Sequence, residues 1–217
     1  PIIVYNIAGR TGKNISTALL ARIAELPNIA GVKEASGDIN QMMEVIETIA
    51  RKKPGFTVLS GDDALTLPLA ALGGDGVISV VSNIAPAEVT ALATAAVNGD
   101  MEKARTLHYK LLPAFKAAFV ETNPVPIKAV MNMKGLPAGS LRLPLAPLDP
   151  ANAPKLRAAF HRPYTLAEVR EEVAELELLI DSPEQVIRRR LKELVPEYRA
   201  ESGNGTMSNV ECRKSNV

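Results

Sequence analysis

The sequence predicts an α/β protein in which four strand–helix units follow one another and further helices come after them. Short apolar runs recur up to Val81, and each is followed by a segment with apolar residues at helical spacing. The apolar runs are continuous rather than alternating, which is typical of strands buried on both faces of a parallel sheet. Repeated units of this kind predict either a doubly wound sheet or a barrel of eight such units.

The helices between the predicted strands have recognisable start and stop residues. Asn14 or Ser16 suits the cap of the first helix, and Asp38 or Asn40 suits the cap of the second. Gly99 suits the end of the fourth helix. The predicted strands are Pro1–Ile7, Ile29–Ala35, Phe56–Ser60 and Gly76–Val81, and the predicted helices span residues 14–26, 38–49, 63–72 and 86–98.

Only helices are predicted beyond residue 100, and the composition changes after Phe160. Thr165 opens a capping-box pattern and a charged helix, and Ser182 precedes a second one. The later predicted helices span residues 101–120, 126–135, 151–160, 165–180 and 182–194, with a proline-rich crossing at 142–148. The expected domains are strand–helix units at 1–100, a helical region at 101–160, a charged helical extension at 161–200 and a disordered tail at 201–217.

Composition excludes several classes of protein. The net charge of +1 gives no reason to expect nucleic acid or an anionic membrane as partner, and no apolar run approaches the ~18 residues that span a bilayer. Cys212 is the only cysteine, which excludes a disulfide framework and fits a cytoplasmic location. Two histidines and one cysteine give no metal-ligand spacing, and we expect neither metal nor cofactor. The pair Asp62–Asp63 is interpreted as the cap of the third helix.

Lys33 closes the second apolar run, where a lysine is unusual. Burial of a lone ammonium group is costly, so such a group tends to lose its proton. A neutral lysine amine is a nucleophile that can form a Schiff base with a carbonyl compound. The alternative is a strand-end lysine whose amine reaches water.

The other predicted strands also end in polar or small residues. In a barrel, chemistry gathers at the carboxyl ends of the strands. Those ends carry Tyr5–Asn6, Lys33–Glu34, Ser60–Asp63 and Ile78–Ser79. Together they suggest a carbonyl-binding amine beside a phenolic proton carrier, although Tyr5 alone could be a strand-end aromatic with its hydroxyl in water.

Six segments follow one another along the chain, namely Tyr5–Gly12, Gly31–Gly37, Leu59–Asp63, Gly73–Val80, Asn123–Lys128 and Leu141–Leu145. In this order they resemble the second half of dihydrodipicolinate synthases. These enzymes belong to the pyruvate-dependent class I aldolase superfamily, whose fold is a (β/α)8 TIM barrel. The resemblance implies that residues 1–100 form the second half of the barrel, as four βα units, and that residues 101–160 form the C-terminal helices of the family.

The resemblance implies a role for five residues. Lys33 would form the Schiff base with pyruvate, and Tyr5 would relay protons to and from it. Arg10 would bind the carboxylate of aspartate semialdehyde, the second substrate. Gly61 and Ile78 would line the pocket, with backbone contacts from Ile78 to pyruvate. The resemblance also implies a homo-oligomer and a place in lysine and diaminopimelate biosynthesis.

Alternatives remain open at this point. Arg10 disfavours a sialic acid lyase, whose family usually has a Ser-Gly pair here, but aldolases acting on keto-sugar acids remain possible. Ala8 replaces the family's usual proline, which loosens the loop that carries Arg10.

A chain that begins inside a strand is expected to be a fragment, poorly active alone. A non-catalytic half barrel is the next alternative. Residues 161–217 do not match the synthase, and Leu191–Tyr198 vaguely resembles the end of nucleotide-sugar dehydratases, which suggests a chimeric chain.

Overall fold

The computed structural model describes residues 1–160, 174, 178–179 and 182–194. The chain divides into two compact units, Pro1–His161 and Arg162–Val217. The first unit contains a four-stranded sheet and eight helices among its described residues. It therefore carries every strand in the described part of the chain.

The sheet is parallel, and its strands lie in the order in which they occur along the chain. The strands are β1 (Ile2–Asn6), β2 (Ile29–Glu34), β3 (Thr57–Ser60) and β4 (Gly76–Val77). A doubly wound sheet reverses its strand order at a switch point, whereas the strands of a barrel follow in sequence. The order without a reversal is therefore that of a βα barrel.

Helices connect the strands and then continue without further strands in the first unit. The side chain of Ser16 accepts the backbone N–H of Leu19 at the start of the second helix, and that of Asp38 caps the third. The helices of this unit are α1 (Ala8–Thr11), α2 (Thr17–Ala24), α3 (Ile39–Val45), α4 (Thr66–Ala71), α5 (Pro86–Val97), α6 (Met101–Ala117), α7 (Val125–Met133) and α8 (Ala153–Phe160).

Three apolar clusters hold this unit together. The first joins the sheet to α2 and α3, and it includes Val32, Met42 and Val58, none of which is exposed. The second lies between α5 and α6, around Leu92 and Phe115. The third joins α6, α7 and α8. The continuous apolar runs of the strands therefore pack against helices, as their sequence predicts.

Three local features differ from the sequence prediction. The fourth strand ends at Val77 rather than Val81, because the carboxylate of Asp63 accepts the backbone N–H groups of Val80 and Val81 and so draws them out of the ladder. Residues Ala8–Thr11 form a one-turn helix where a loop was expected. The third helix continues past Val45 as a π turn, Ile46–Ala50.

The second unit contains α9 (Glu184–Leu194), which corresponds to the last predicted helix. Most of the helix predicted at 165–180 lies outside the described residues, although Ala174 and Leu178 are helical. The tail predicted at 201–217 also lies outside them. Among the described residues, no helix is both long enough and apolar enough to cross a membrane.

Candidate active site

Two neighbouring strands place Tyr5 beside Lys33 at the carboxyl edge of the sheet. The parallel register pairs Tyr5 of β1 with Lys33 of β2, and Lys33 in turn with Leu59 of β3. The Nζ atom of Lys33 lies 4.0 Å from the centroid of the Tyr5 ring. Because residues paired directly across neighbouring strands point to the same side of the pleat, both side chains lie on the same face of the sheet.

A cleft of about 430 Å³ opens at this edge of the sheet. It brings together four of the five residues that the sequence singled out, namely Tyr5, Arg10, Lys33 and Gly61. The remaining lining residues are Ile7, Ala35, Asp62, Val80, Phe119 and Asn123. The cleft is thus built from the loops that follow β1, β2, β3 and β4 and from the segment between α6 and α7.

Ile78 lies directly after β4, and it is not among the residues that line this cleft. Its backbone N–H donates to the carbonyl oxygen of Ser60 at 2.9 Å, and the residue is 42% exposed. The N–H of Ile78 is therefore already bonded to the neighbouring strand. A contact between Ile78 and substrate stays a prediction.

Gly61 leaves room for Lys33. A Cβ atom at this position would lie 2.6 Å from the Cβ of Ala35 and 3.1 Å from the Cε of Lys33. The backbone N–H of Gly61 donates to the carbonyl oxygen of Glu34 at 2.7 Å, so the chain cannot easily move away. The absence of a side chain at Gly61 therefore sets the space in which the lysine side chain lies.

Arg10 reaches across the cleft to the segment between α6 and α7. Its Nη2 atom donates to the backbone oxygen of Asn123 at 2.7 Å. The Oδ1 atom of Asn123 is buried and has no hydrogen-bond partner among the described residues. The family resemblance includes the segment that begins at Asn123, but the sequence predicts no role for Asn123 or Phe119, since no local pattern indicates that this segment returns to the cleft.

Asp63 links the ends of β3 and β4 and is not a helix cap. Its carboxylate accepts the hydroxyl of Ser79 and, at 2.9 Å, the N–H of Val80, while Asp62 alone caps the turn by accepting the N–H of Ala64 at 2.8 Å. The cap predicted for the pair is thus correct for Asp62 and wrong for Asp63. Burial raises the pKa of Asp63. Its hydrogen bonds favour the ionised carboxylate and lower the pKa, but the effect of burial is larger.

In the part of the chain that the structure describes, no group of three or more histidine, cysteine, aspartate or glutamate side chains could hold a metal ion. The polar side chains that line the cleft instead supply an amine, a phenol, a guanidinium group, the carboxylate of Asp62 and a buried amide oxygen. An amine next to a phenol fits covalent chemistry on a carbonyl group, and a guanidinium group fits an anionic substrate.

The fold and the cleft define a site centred on a lysine at the carboxyl edge of a parallel βα sheet. The family model described as the dihydrodipicolinate synthetase family matches residues 1–162. The chain belongs to this family. The sequence-based recognition is therefore confirmed.

Named relatives agree with the family. The 4-hydroxy-tetrahydrodipicolinate synthase of Protochlamydia amoebophila is 58% identical over 156 residues, which cover 72% of this chain and 52% of that protein. The synthase of Methanoculleus marisnigri is 47% identical over 157 residues, 72% of this chain and 53% of that one. The chain thus spans about half the length of the curated relatives that it matches.

Solved structures of the same kind also match. Dihydrodipicolinate synthase of Thermotoga maritima has a TM-score of 0.70 and 45% identity, over 73% of this chain and 54% of that one. A structure of the chloride-inhibited enzyme of Acinetobacter baumannii, complexed with pyruvate, has a TM-score of 0.69 and 39% identity over the same shares of the two chains.

Proposed function

We propose that this chain carries the lysine-centred site of a 4-hydroxy-tetrahydrodipicolinate synthase, which condenses pyruvate with aspartate semialdehyde in lysine and diaminopimelate biosynthesis. The observation that carries the proposal is the position of the Lys33 amine, 4.0 Å from the Tyr5 ring in a cleft at the carboxyl edge of the sheet. The names of the relatives support it, and they do not favour the alternatives of another pyruvate-dependent aldolase, a non-catalytic half barrel or a chimeric chain.

Lys33 begins the reaction in this proposal. The neutral amine adds to the keto carbon of pyruvate, and loss of water gives an imine. The imine accepts electrons when the methyl group loses a proton, and the resulting enamine attacks the aldehyde carbon. The pyruvate bound to the related Acinetobacter enzyme supports pyruvate as the first substrate.

Tyr5, Arg10, Gly61 and Ile78 take supporting roles. The phenol of Tyr5 moves protons during imine formation and condensation, a role that the position of the amine over the Tyr5 ring supports. The guanidinium of Arg10 binds the carboxylate of the aldehyde substrate. Gly61 leaves space for Lys33, and Ile78 contributes backbone atoms near pyruvate.

The architecture around the site is also part of the proposal. We propose that residues 1–100 form the second half of a (β/α)8 barrel and residues 101–160 the C-terminal helices of the family, because the strand order has no reversal and the match covers about half of each relative. We further propose a homo-oligomer that acts in the cytoplasm, on the family resemblance and the single cysteine. Residues 161–217 are assigned no role.

Reductive trapping tests the proposal. The full chain is incubated with pyruvate and borohydride, and the adduct is located by peptide mass spectrometry. We expect a pyruvate adduct on Lys33 that is absent in Lys33→Ala. Lys52→Ala is the matched control, because Lys52 is an exposed lysine that precedes β3 at the opposite edge of the sheet. An unmodified Lys33 in folded protein would contradict the proposal for this chain.

A further inference from the structure

A group of three amides and one carboxyl, all buried except for one exposed amide, lies on the opposite face of the sheet edge from Lys33. It consists of Asn6, Asn14, Glu34 and Gln41, here called the amide cluster. Asn6 and Glu34 directly follow Tyr5 and Lys33 on β1 and β2, so alternation turns their side chains to the other face. Asn6 is 1% exposed and Glu34 is 0% exposed. The proposed chemistry does not use any member of the cluster.

Asn6 holds together the two ends of the loop that carries Arg10. Its Nδ2 atom donates to Oδ1 of Asn14 at 2.8 Å, and its Oδ1 atom accepts the backbone N–H of Ile15 at 3.0 Å. The chain between these residues contains α1, with Arg10 in its single turn. The side chain of Asn6 thus closes the base of this loop.

Glu34 fixes Asn6 from the neighbouring strand. Both carboxyl oxygens of Glu34 lie 3.1 Å from Nδ2 of Asn6, and one of them also accepts the backbone N–H of Ser36 at 2.8 Å. The side chain of Glu34 therefore acts as the acceptor in each of these hydrogen bonds. A side chain with an N–H group in place of one of these oxygens would bring that N–H against the Nδ2 group of Asn6.

Gln41 connects the loop to the helix that follows β2. Its Oε1 atom accepts from Nδ2 of Asn14, and its Nε2 atom donates to the backbone oxygen of Ile15, both at 2.7 Å. The end of the loop is thus held to β1 by Asn6 and to α3 by Gln41, and β2 contributes through the bonds of Glu34 to Asn6. Such bonds cost most when only one partner is removed.

We propose that Asn6 and Glu34 are positioning residues, which fasten the loop 7–14 and thereby hold Arg10 over the cleft opposite Asn123. They act through Arg10 and have no contact with Lys33 or Tyr5 among their hydrogen bonds. Only the kinetic consequence rests on the proposed function, since the fastening of the loop is a property of the fold. The consequence is that the cluster governs binding of the anionic aldehyde and leaves Schiff-base formation with pyruvate intact.

Glu34→Gln is the sharpest test, because it keeps the shape of the side chain and places an amide where Asn6 donates. Asn14→Ala is the second variant, since it removes the side-chain hydrogen bonds of Asn14 with Asn6 and Gln41 at a residue that is itself exposed. Glu102→Gln is the matched control, at an exposed glutamate on α6. Circular dichroism establishes that each variant is folded.

Hydrogen exchange measures the fastening without any substrate. The backbone N–H of Ile15, which Asn6 accepts, reports directly on the base of the loop. We expect it to exchange about tenfold faster in Glu34→Gln and in Asn14→Ala than in wild-type protein, and unchanged in Glu102→Gln. Unchanged exchange in both folded variants would overturn the proposal.

Kinetics measure the consequence for Arg10. We expect KM for aspartate semialdehyde to rise about tenfold in Glu34→Gln while trapping of pyruvate on Lys33 is retained. If KM for aspartate semialdehyde rises and trapping of pyruvate falls by the same factor, Glu34 has a general structural role, and the proposal is overturned. If wild-type protein traps no pyruvate, the proposed function has failed, and exchange at Ile15 alone decides whether Asn6 and Glu34 fasten the loop.

Discussion

The amine of Lys33 lies over the face of the Tyr5 ring, 4.0 Å from its centroid, because the two residues are paired in the register of adjacent parallel strands. Both are fixed by backbone hydrogen bonds of the sheet rather than by flexible loops. A nucleophile and a proton carrier held on rigid elements keep their relative position through the reaction.

Tyr5→Phe should separate the ring from the hydroxyl. The aromatic face under Lys33 is retained, while the group that would carry protons is lost. We expect kcat for condensation to fall about 100-fold, within the usual range for the loss of a general acid or base. Steady-state assays with pyruvate and aspartate semialdehyde measure it, with Tyr109→Phe as control at a tyrosine that is 67% exposed on α6. An equal rate in Tyr5→Phe and wild type would remove Tyr5 from the proton path.

Gly61→Ala should disturb Lys33 by contact. The added methyl group would lie 2.6 Å from the Cβ of Ala35 and 3.1 Å from the Cε of Lys33. We expect a loss of about 1–3 kcal/mol in the free energy of unfolding and slower trapping of pyruvate. Gly9→Ala is the control, because a Cβ at Gly9 meets no atom within 4 Å. If Gly61→Ala and Gly9→Ala have the same free energy of unfolding and trap pyruvate at the same rate, the close approach at Gly61 has no consequence.

Much of the fold could be predicted from the sequence because it depends on local patterns. Continuous apolar runs located β1, β2 and β3 to within one or two residues, and the caps Ser16 and Asp38 were correct. Lys33 can be singled out from the sequence because a charged residue at the end of an apolar run conflicts with its neighbours. These signals all lie within a few residues of the feature that they predict.

The rest depends on contacts between residues that are distant in the sequence. The early end of β4 depends on Asp63, which lies just before α4. Its carboxylate accepts the backbone N–H groups of Val80 and Val81. The place of Asn123 in the cleft depends on how α6 and α7 pack. No local sequence pattern around these residues predicts either contact.

Arg10→Lys should weaken binding of the aldehyde substrate. The exposed guanidinium donates to the backbone oxygen of Asn123 and can bind a carboxylate through two parallel bonds, which an ammonium group cannot do. We expect KM for aspartate semialdehyde to rise about tenfold or more, with pyruvate trapping on Lys33 unchanged. Arg22→Lys, at an exposed arginine on α2, is the control. An unchanged KM would show that Arg10 does not bind this substrate.

Asp63→Asn should change how stability depends on pH. Burial raises the pKa of Asp63 from its ordinary value of 3.8, so between 3.8 and the raised value the folded state holds more protons than the unfolded state. The free energy of unfolding of the wild type therefore falls through this window as pH rises, while the contribution of an amide does not change. Urea denaturation at several pH values should show the Asp63→Asn variant gaining stability relative to the wild type from about pH 4 upwards. Parallel curves would contradict the raised pKa.

Met42→Ala should destabilise the fold far more than Met43→Ala, although the two residues are neighbours on α3. Met42 is not exposed and belongs to the cluster between the sheet and the helices, whereas Met43 is 40% exposed. Truncation of a buried methionine leaves a cavity and costs about 2–5 kcal/mol, while an exposed one costs about 0.5 kcal/mol or less. Guanidinium denaturation of the full chain, followed by circular dichroism, measures both losses. Because the two substitutions remove the same atoms from the same helix, a similar loss in both would mean that the sheet and α3 do not pack as described.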